Sequence, residues 1–148
     1  PNKQWVNTDP SWSPDGTRFA LTGGPTGRPG IYLASTSGGS LRAVATGFSY
    51  STEPRWNPVF PDQLVFTYQS GSLRLGVIDL AAGSVRSIEA ASPVALAHAS
   101  WCADGRHLVA AQGDWLAVVD SVTGKVTRLT PSNLGRCSEP DCWTPRAR

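Results

Sequence analysis

The sequence predicts an all-β chain of repeated four-stranded units, on three observations: a tryptophan that returns at fixed spacing, β-rich stretches in fixed order after it, and glycines punctuating each unit at matching places. Trp12, Trp56, Trp101 and Trp143 lie 44, 45 and 42 residues apart. A period near that length fits a propeller blade of four short strands. The expectation is one domain, residues 1–148, with blades at about 9–50, 53–95 and 98–135, and with 136–148 either the start of a fourth repeat or a C-terminal tail.

The first strand of each blade carries the tryptophan, in the settings Asp9-Pro10-Ser11-Trp12, Glu53-Pro54-Arg55-Trp56 and His98-Ala99-Ser100-Trp101. A large ring at one repeated position is expected to wedge between adjacent blades, because burying roughly 150–250 Å² of aromatic surface is favourable. Asp15-Gly16 and Asp104-Gly105 follow and supply the positive φ of a tight turn, with Pro14 fixing φ just before the first pair. The second blade departs: Trp56-Asn57-Pro58-Val59-Phe60-Pro61-Asp62 has no glycine and is one residue longer, so a wider turn is expected.

Second strands are read at Phe19-Ala20-Leu21, Leu64-Val65-Phe66 and Leu108-Val109-Ala110, and third strands at Ile31-Tyr32-Leu33, Leu75-Gly76-Val77-Ile78 and Leu116-Ala117-Val118-Val119. The third strands end at Ser35, Asp79 and Asp120. Four residues on, Gly39, Gly83 and Gly124 signal a hairpin into fourth strands through Leu41, Val85 and Val126. The run Gly23 to Gly30 reads as a loop between the second and third strands; it lacks the Lys-Ser/Thr and the helix of a phosphate loop.

Composition narrows the function classes. With 40% hydrophobic residues, 16% charged residues and 6 Trp, the 148-residue chain has the material for a packed core. The 13 basic and 11 acidic residues form no basic stripe, which argues against nucleic acid, and no apolar run approaches the ~20 residues of a membrane span. The start Pro1-Asn2-Lys3-Gln4 has neither an initiator Met nor a signal-peptide core, so a mature, trimmed or excised chain is expected. Cys137 and Cys142 are either a disulfide formed in an oxidising compartment or free thiols, with Cys102 left over. A zinc finger is set aside because no second Cys or His pair accompanies them.

The Trp12-Ser13-Pro14-Asp15-Gly16 signature, its variants at Trp56 and Trp101, and the Ile31-Tyr32-Leu33 strand resemble the TolB-type propeller repeat. This resemblance covers three units and the start of a fourth. It implies six- or seven-bladed propellers that serve as periplasmic interaction platforms, as gating domains of serine peptidases, or as metal-dependent lyases, and fold alone does not select among these. A periplasmic or secreted location follows as an expectation.

Closed propellers hide their sheet edges, and closure takes about four to eight blades. Three blades are then either part of a longer chain or half of a six-bladed ring closed by a homodimer about a two-fold axis. Asn7 to Trp12 and Ser138 to Trp143 occupy the same place in the repeat, so in such a dimer the tail turns aside or the N-terminal segment yields.

Asp9, Glu53 and His98, each three residues before a repeat tryptophan, are expected to face one axial channel, with Glu139 a looser fourth. Carboxylates and an imidazole at such a mouth suit a divalent metal ion, which would acidify water for hydrolysis of an ester or phosphoester, with His98 or Glu53 moving the proton. The plainer reading gives the carboxylates to backbone donors and makes the mouth the docking point of a protein or small-molecule ligand. No nucleophile elbow is present. His107, aligned with Arg18 and Gln63, reads as a solvent-facing strand residue. Trp5, Tyr50 and Trp115 read as exposed binding anchors or as covers of blade edges, Trp115 aligning with Arg74 and Gly30.

Overall fold

A computed structural model describes residues 5–90 and 94–129. Cys137, Glu139, Cys142 and Trp143 lie outside the described residues. Twelve strands form three separate four-stranded antiparallel sheets, each made of consecutive strands. The first sheet holds β1 (Trp5–Trp12), β2 (Arg18–Pro25), β3 (Gly30–Ser35) and β4 (Arg42–Val44). The second holds β5 (Thr52–Trp56), β6 (Gln63–Ser70), β7 (Ser72–Asp79) and β8 (Ser84–Ser87). The third holds β9 (Ala97–Trp101), β10 (His107–Gln112), β11 (Trp115–Asp120) and β12 (Val126–Arg128).

The third strands end where the hairpin glycines predict, at Ser35, Asp79 and Asp120, and Gly39, Gly83 and Gly124 all take positive φ. The Asp-Gly turns are built by their carboxylates. Asp15 accepts from the Ser13 hydroxyl at 2.6 Å and the Thr17 amide at 3.0 Å, and Asp104 accepts from the amides of Arg106 and His107 at 2.9 Å each. In the second sheet Asn57 replaces that device. Its Oδ1 accepts from the amides of Val59 and Phe60 at 2.9 and 3.1 Å, while its Nδ2 donates to the Gly105 carbonyl at 2.8 Å, tying the wider turn to the next sheet.

The sheets stack face to face through two apolar clusters. Trp56 is buried with Leu64, Phe66 and Ile78 against Ala20, Ile31 and Leu33 of the first sheet. One step along, Trp101 is buried with Leu108, Ala110 and Val119 against Val65, Leu75 and Val77 of the second. Both rings are 6% exposed. Trp101 Nε1 also donates to the Arg55 carbonyl at 3.1 Å, and the Arg18 guanidinium lies 4.9 Å over the Trp56 ring while pairing with Asp62 at 3.0 Å.

Two expectations need correction. Trp12 does not wedge between sheets: it is 63% exposed and touches Phe19 at 5.8 Å, because among the described residues no sheet precedes the first. The glycine run is not all loop: Gly23, Gly24 and Pro25 extend β2 and Gly30 opens β3, since Trp5, Val6 and Asn7 give β2 a partner along its whole length. Space at Gly23 is tight, as a Cβ would stand 3.0 Å from the Tyr32 ring and 3.1 Å from the Leu21 side chain.

Candidate functional site

Each first strand carries an irregularity at the same place. The pairing register shifts between Thr8 and Ser11, between Thr52 and Arg55, and opposite the Val109 to Ala111 step of β10. Inside these bulges sit Asp9, Glu53 and His98, with φ of 54°, 57° and 51°. The proline after Asp9 and after Glu53 has no amide to give the ladder, so the sequence itself writes the break in pairing. A left-handed non-glycine residue costs about 1–2 kcal/mol, and strain of this kind concentrates at functional positions.

Glu53 is the hub. Its amide donates to Thr22 Oγ1 at 2.8 Å, reaching the first sheet. Its Oε2 accepts from Thr67 Oγ1 at 2.9 Å and from the His98 amide at 3.2 Å, while Oε1 meets His98 Nδ1 at 2.9 Å. One side chain thus fixes the bulges of two neighbouring sheets. Asp9 accepts from Thr8 Oγ1 at 2.8 Å, and Arg55 donates to the Pro54 carbonyl at 3.0 Å with a longer reach to the Asp9 carbonyl.

Between the first and second sheets this end of the molecule opens into a groove of about 360 Å³ lined by Thr8, Asp9, Thr22, Tyr50, Thr52 and Glu53 among others. With Thr26 it offers two carboxylates, four threonine hydroxyls and a phenol, a set suited to a positively charged or hydrogen-bond-donating group.

The sequence-derived candidates therefore separate. Glu53 and His98 are brought into direct contact, and Asp9 shares the groove wall with Glu53. Among the described residues no three of His, Cys, Asp and Glu stand close enough to hold a metal ion. Both Glu53 oxygens already take hydrogen bonds within the protein. His107 stands at the other end of its sheet, paired with Asp104 at 2.6 Å. Trp5 packs edge-on against Tyr32 at 5.4 Å and remains half exposed, Tyr50 lines the groove with φ of 54°, and Trp115 is half-buried beneath Arg128.

Sequence reasoning missed Thr22 and Thr67. The signal lies in strand register: Thr8 pairs with Thr22, Thr52 with Thr67, and Ala97 with Ala111, so hydroxyl pairs mark two sheets and the third has methyl groups instead.

No family model matches the sequence. Among solved structures, TolB from Acinetobacter baumannii is 27% identical with a TM-score of 0.73, over 85% of this chain and 33% of that protein. A putative TolB from Agrobacterium tumefaciens is 18% identical with a TM-score of 0.73, over 83% of this chain and 48% of that one. Oligogalacturonate lyase in complex with manganese is 14% identical with a TM-score of 0.65, over 88% and 43%. The chain thus spans a third to about half the length of these proteins, and the two more distant likenesses concern fold alone.

Proposed function

With the chain established as three blades of a TolB-like β-propeller, we propose that it acts as an interaction platform whose docking point is the groove at the axial mouth. The observation that supports this best is the groove itself: Asp9 and Glu53 face it with Thr8, Thr22, Thr52 and Tyr50, on bulges built at the same place in each repeat. The ligand chemistry that answers such a wall is a cationic side chain of a partner protein, a lysine or arginine presented on an extended segment. An exported setting, periplasmic or secreted, and closure of the half-ring by a second copy belong to the same reading.

Titration with the tripeptides Gly-Arg-Gly and Gly-Glu-Gly, followed by amide chemical shifts, tests the groove. The cationic peptide should move the resonances of Thr8, Thr22 and Thr52, and Asp9→Asn should abolish the response. Equal responses to both peptides, or shifts confined to another face, would refute the docking point.

A second reading has one observation in its favour, the 2.9 Å contact of Glu53 with His98 Nδ1. A carboxylate that orients an imidazole in this way leaves Nε2 to move a proton, as a hydrolase of esters or phosphoesters requires. The divalent metal expected beside it, with Asp9, Glu53 and His98 as ligands, belongs to this second reading. Elemental analysis of the purified protein separates the two readings: stoichiometric metal that disappears in Glu53→Ala and His98→Ala would favour the hydrolase.

A further inference from the structure

We infer that Tyr50 is a specificity-determining residue of the groove, and that together with Asp9 it makes the groove select an arginine guanidinium over a lysine ammonium. The inference rests on the docking point of the proposed function and names which cation fills it.

The open charge in the groove belongs to Asp9. Thr67 and His98 occupy the two oxygens of Glu53. By the repeat, Asp9 would grip residue 53 as Glu53 grips His98. Residue 53 is itself a carboxylate, and its amide is already donated to Thr22 Oγ1 at 2.8 Å. Asp9 therefore keeps the Thr8 hydroxyl on Oδ2, and among the described residues its Oδ1 takes no hydrogen bond. That opening follows from two carboxylates at consecutive repeat positions, on two sheets that pack against each other within the described residues.

Tyr50 lines the same groove from the linker between β4 and β5. The linker is pinned on both sides of it. The Gln69 amide donates to the Ser49 carbonyl at 3.4 Å, the Thr46 and Ser51 hydroxyls share a hydrogen bond of 2.8 Å, and Phe48 stacks on Tyr68 with ring centroids 4.0 Å apart. These contacts hold residue 50 at a φ of 54°, a left-handed conformation that disfavours a bulky side chain. The fold does not call for a ring there. Tyr50 is 47% exposed, its hydroxyl takes no hydrogen bond among the described residues, and the same place in the other repeats, three residues before the bulge residue, holds Val6 and Ala95. An aromatic kept at a strained, exposed position beside an open carboxylate is placed for a ligand.

The pair distinguishes the two natural cations. A guanidinium is planar and weakly hydrated, so it can lie on the Tyr50 ring while its fork of N–H groups reaches the Asp9 carboxylate and the surrounding threonine hydroxyls. An ammonium is a compact, strongly hydrated charge that gains the carboxylate and less of the ring.

Titration of the full chain with Gly-Arg-Gly and Gly-Lys-Gly, followed by amide chemical shifts, tests the selection, with melting followed by circular dichroism. The arginine peptide should bind about fivefold more tightly. Tyr50→Phe should keep that preference. Tyr50→Gly should bring the two peptides level and melt no lower than the wild type, because glycine accepts the left-handed φ. Equal affinities in the wild type, a preference that survives Tyr50→Gly, or a clear fall in melting temperature for Tyr50→Gly would overturn the inference, the last by giving the ring to the fold. Equal groove shifts from both peptides that vanish in Asp9→Asn would remove the selection and leave the docking point standing. No groove response to either peptide would remove both.

Discussion

Trp12 and Trp101 occupy the same point of the same repeat, yet one is 63% exposed and the other 6%. Their strands, bulges and following Asp-Gly turns are alike, so local structure does not make the difference. A neighbouring sheet does. The aromatic position is prepared by the repeat, and its energetic worth is set by whether Val65, Leu75 and Val77, or their equivalents, stand opposite.

The largest expected effect tests that contrast directly. Trp101→Ala and Trp56→Ala should each destabilise the fold by about 3–5 kcal/mol in urea unfolding, as for other large buried aromatics. Trp12→Ala, at a ring that is largely exposed, should stay within about 0.5 kcal/mol. Similar losses at all three positions would break the comparison.

A smaller effect is expected at the turns. Asn57 is fully buried and links the second sheet to the Gly105 carbonyl of the third, a bridge that Ser13 does not make in the first. Asn57→Ala should therefore cost about 1–3 kcal/mol by leaving buried backbone groups without partners. Ser13→Ala should cost less, and the reverse order would show that the turn bridge adds nothing.

The smallest effect appears in acid. The Ser13 hydroxyl holds the Asp15 carboxyl down at about 2, and the His107 side chain does the same for Asp104, also to about 2. Unfolded aspartates titrate near ~3.9, so these depressed groups contribute stability that is complete above that pH and lost as pH falls through about 2. Asp15→Asn and Asp104→Asn should each flatten the decline in melting temperature between about pH 4 and 2. Asp62→Asn, on the second sheet's turn, serves as the control, and an equal flattening there would dismiss the turn carboxylates as the cause.

Much of the fold was legible because it is punctuated locally. Ser35, Asp79 and Asp120 with their hairpin glycines mark strand ends within a few residues of chain, and no distant partner is needed to read them. Gly23 to Pro25 were misread for the opposite reason: their strand character comes from pairing with Trp5 to Asn7, which composition does not announce. The site divides the same way. Asp9, Glu53 and His98 stand out by repeat position, whereas Thr22 and Thr67 emerge only when strands are laid in register. The exposure of Trp12 depends on a sheet that the local sequence does not describe.

Every hydrogen-bonded neighbour in the three sheets is also the next strand along the chain. Ordering can therefore begin within any one sheet at low loop-closure cost and spread outward, as in other modular arrays whose units touch mainly their neighbours. The middle sheet is covered on both faces, so its β6 and β7 amides should exchange with deuterated solvent most slowly. The first and third sheets, each packed on one face among the described residues, should open sooner.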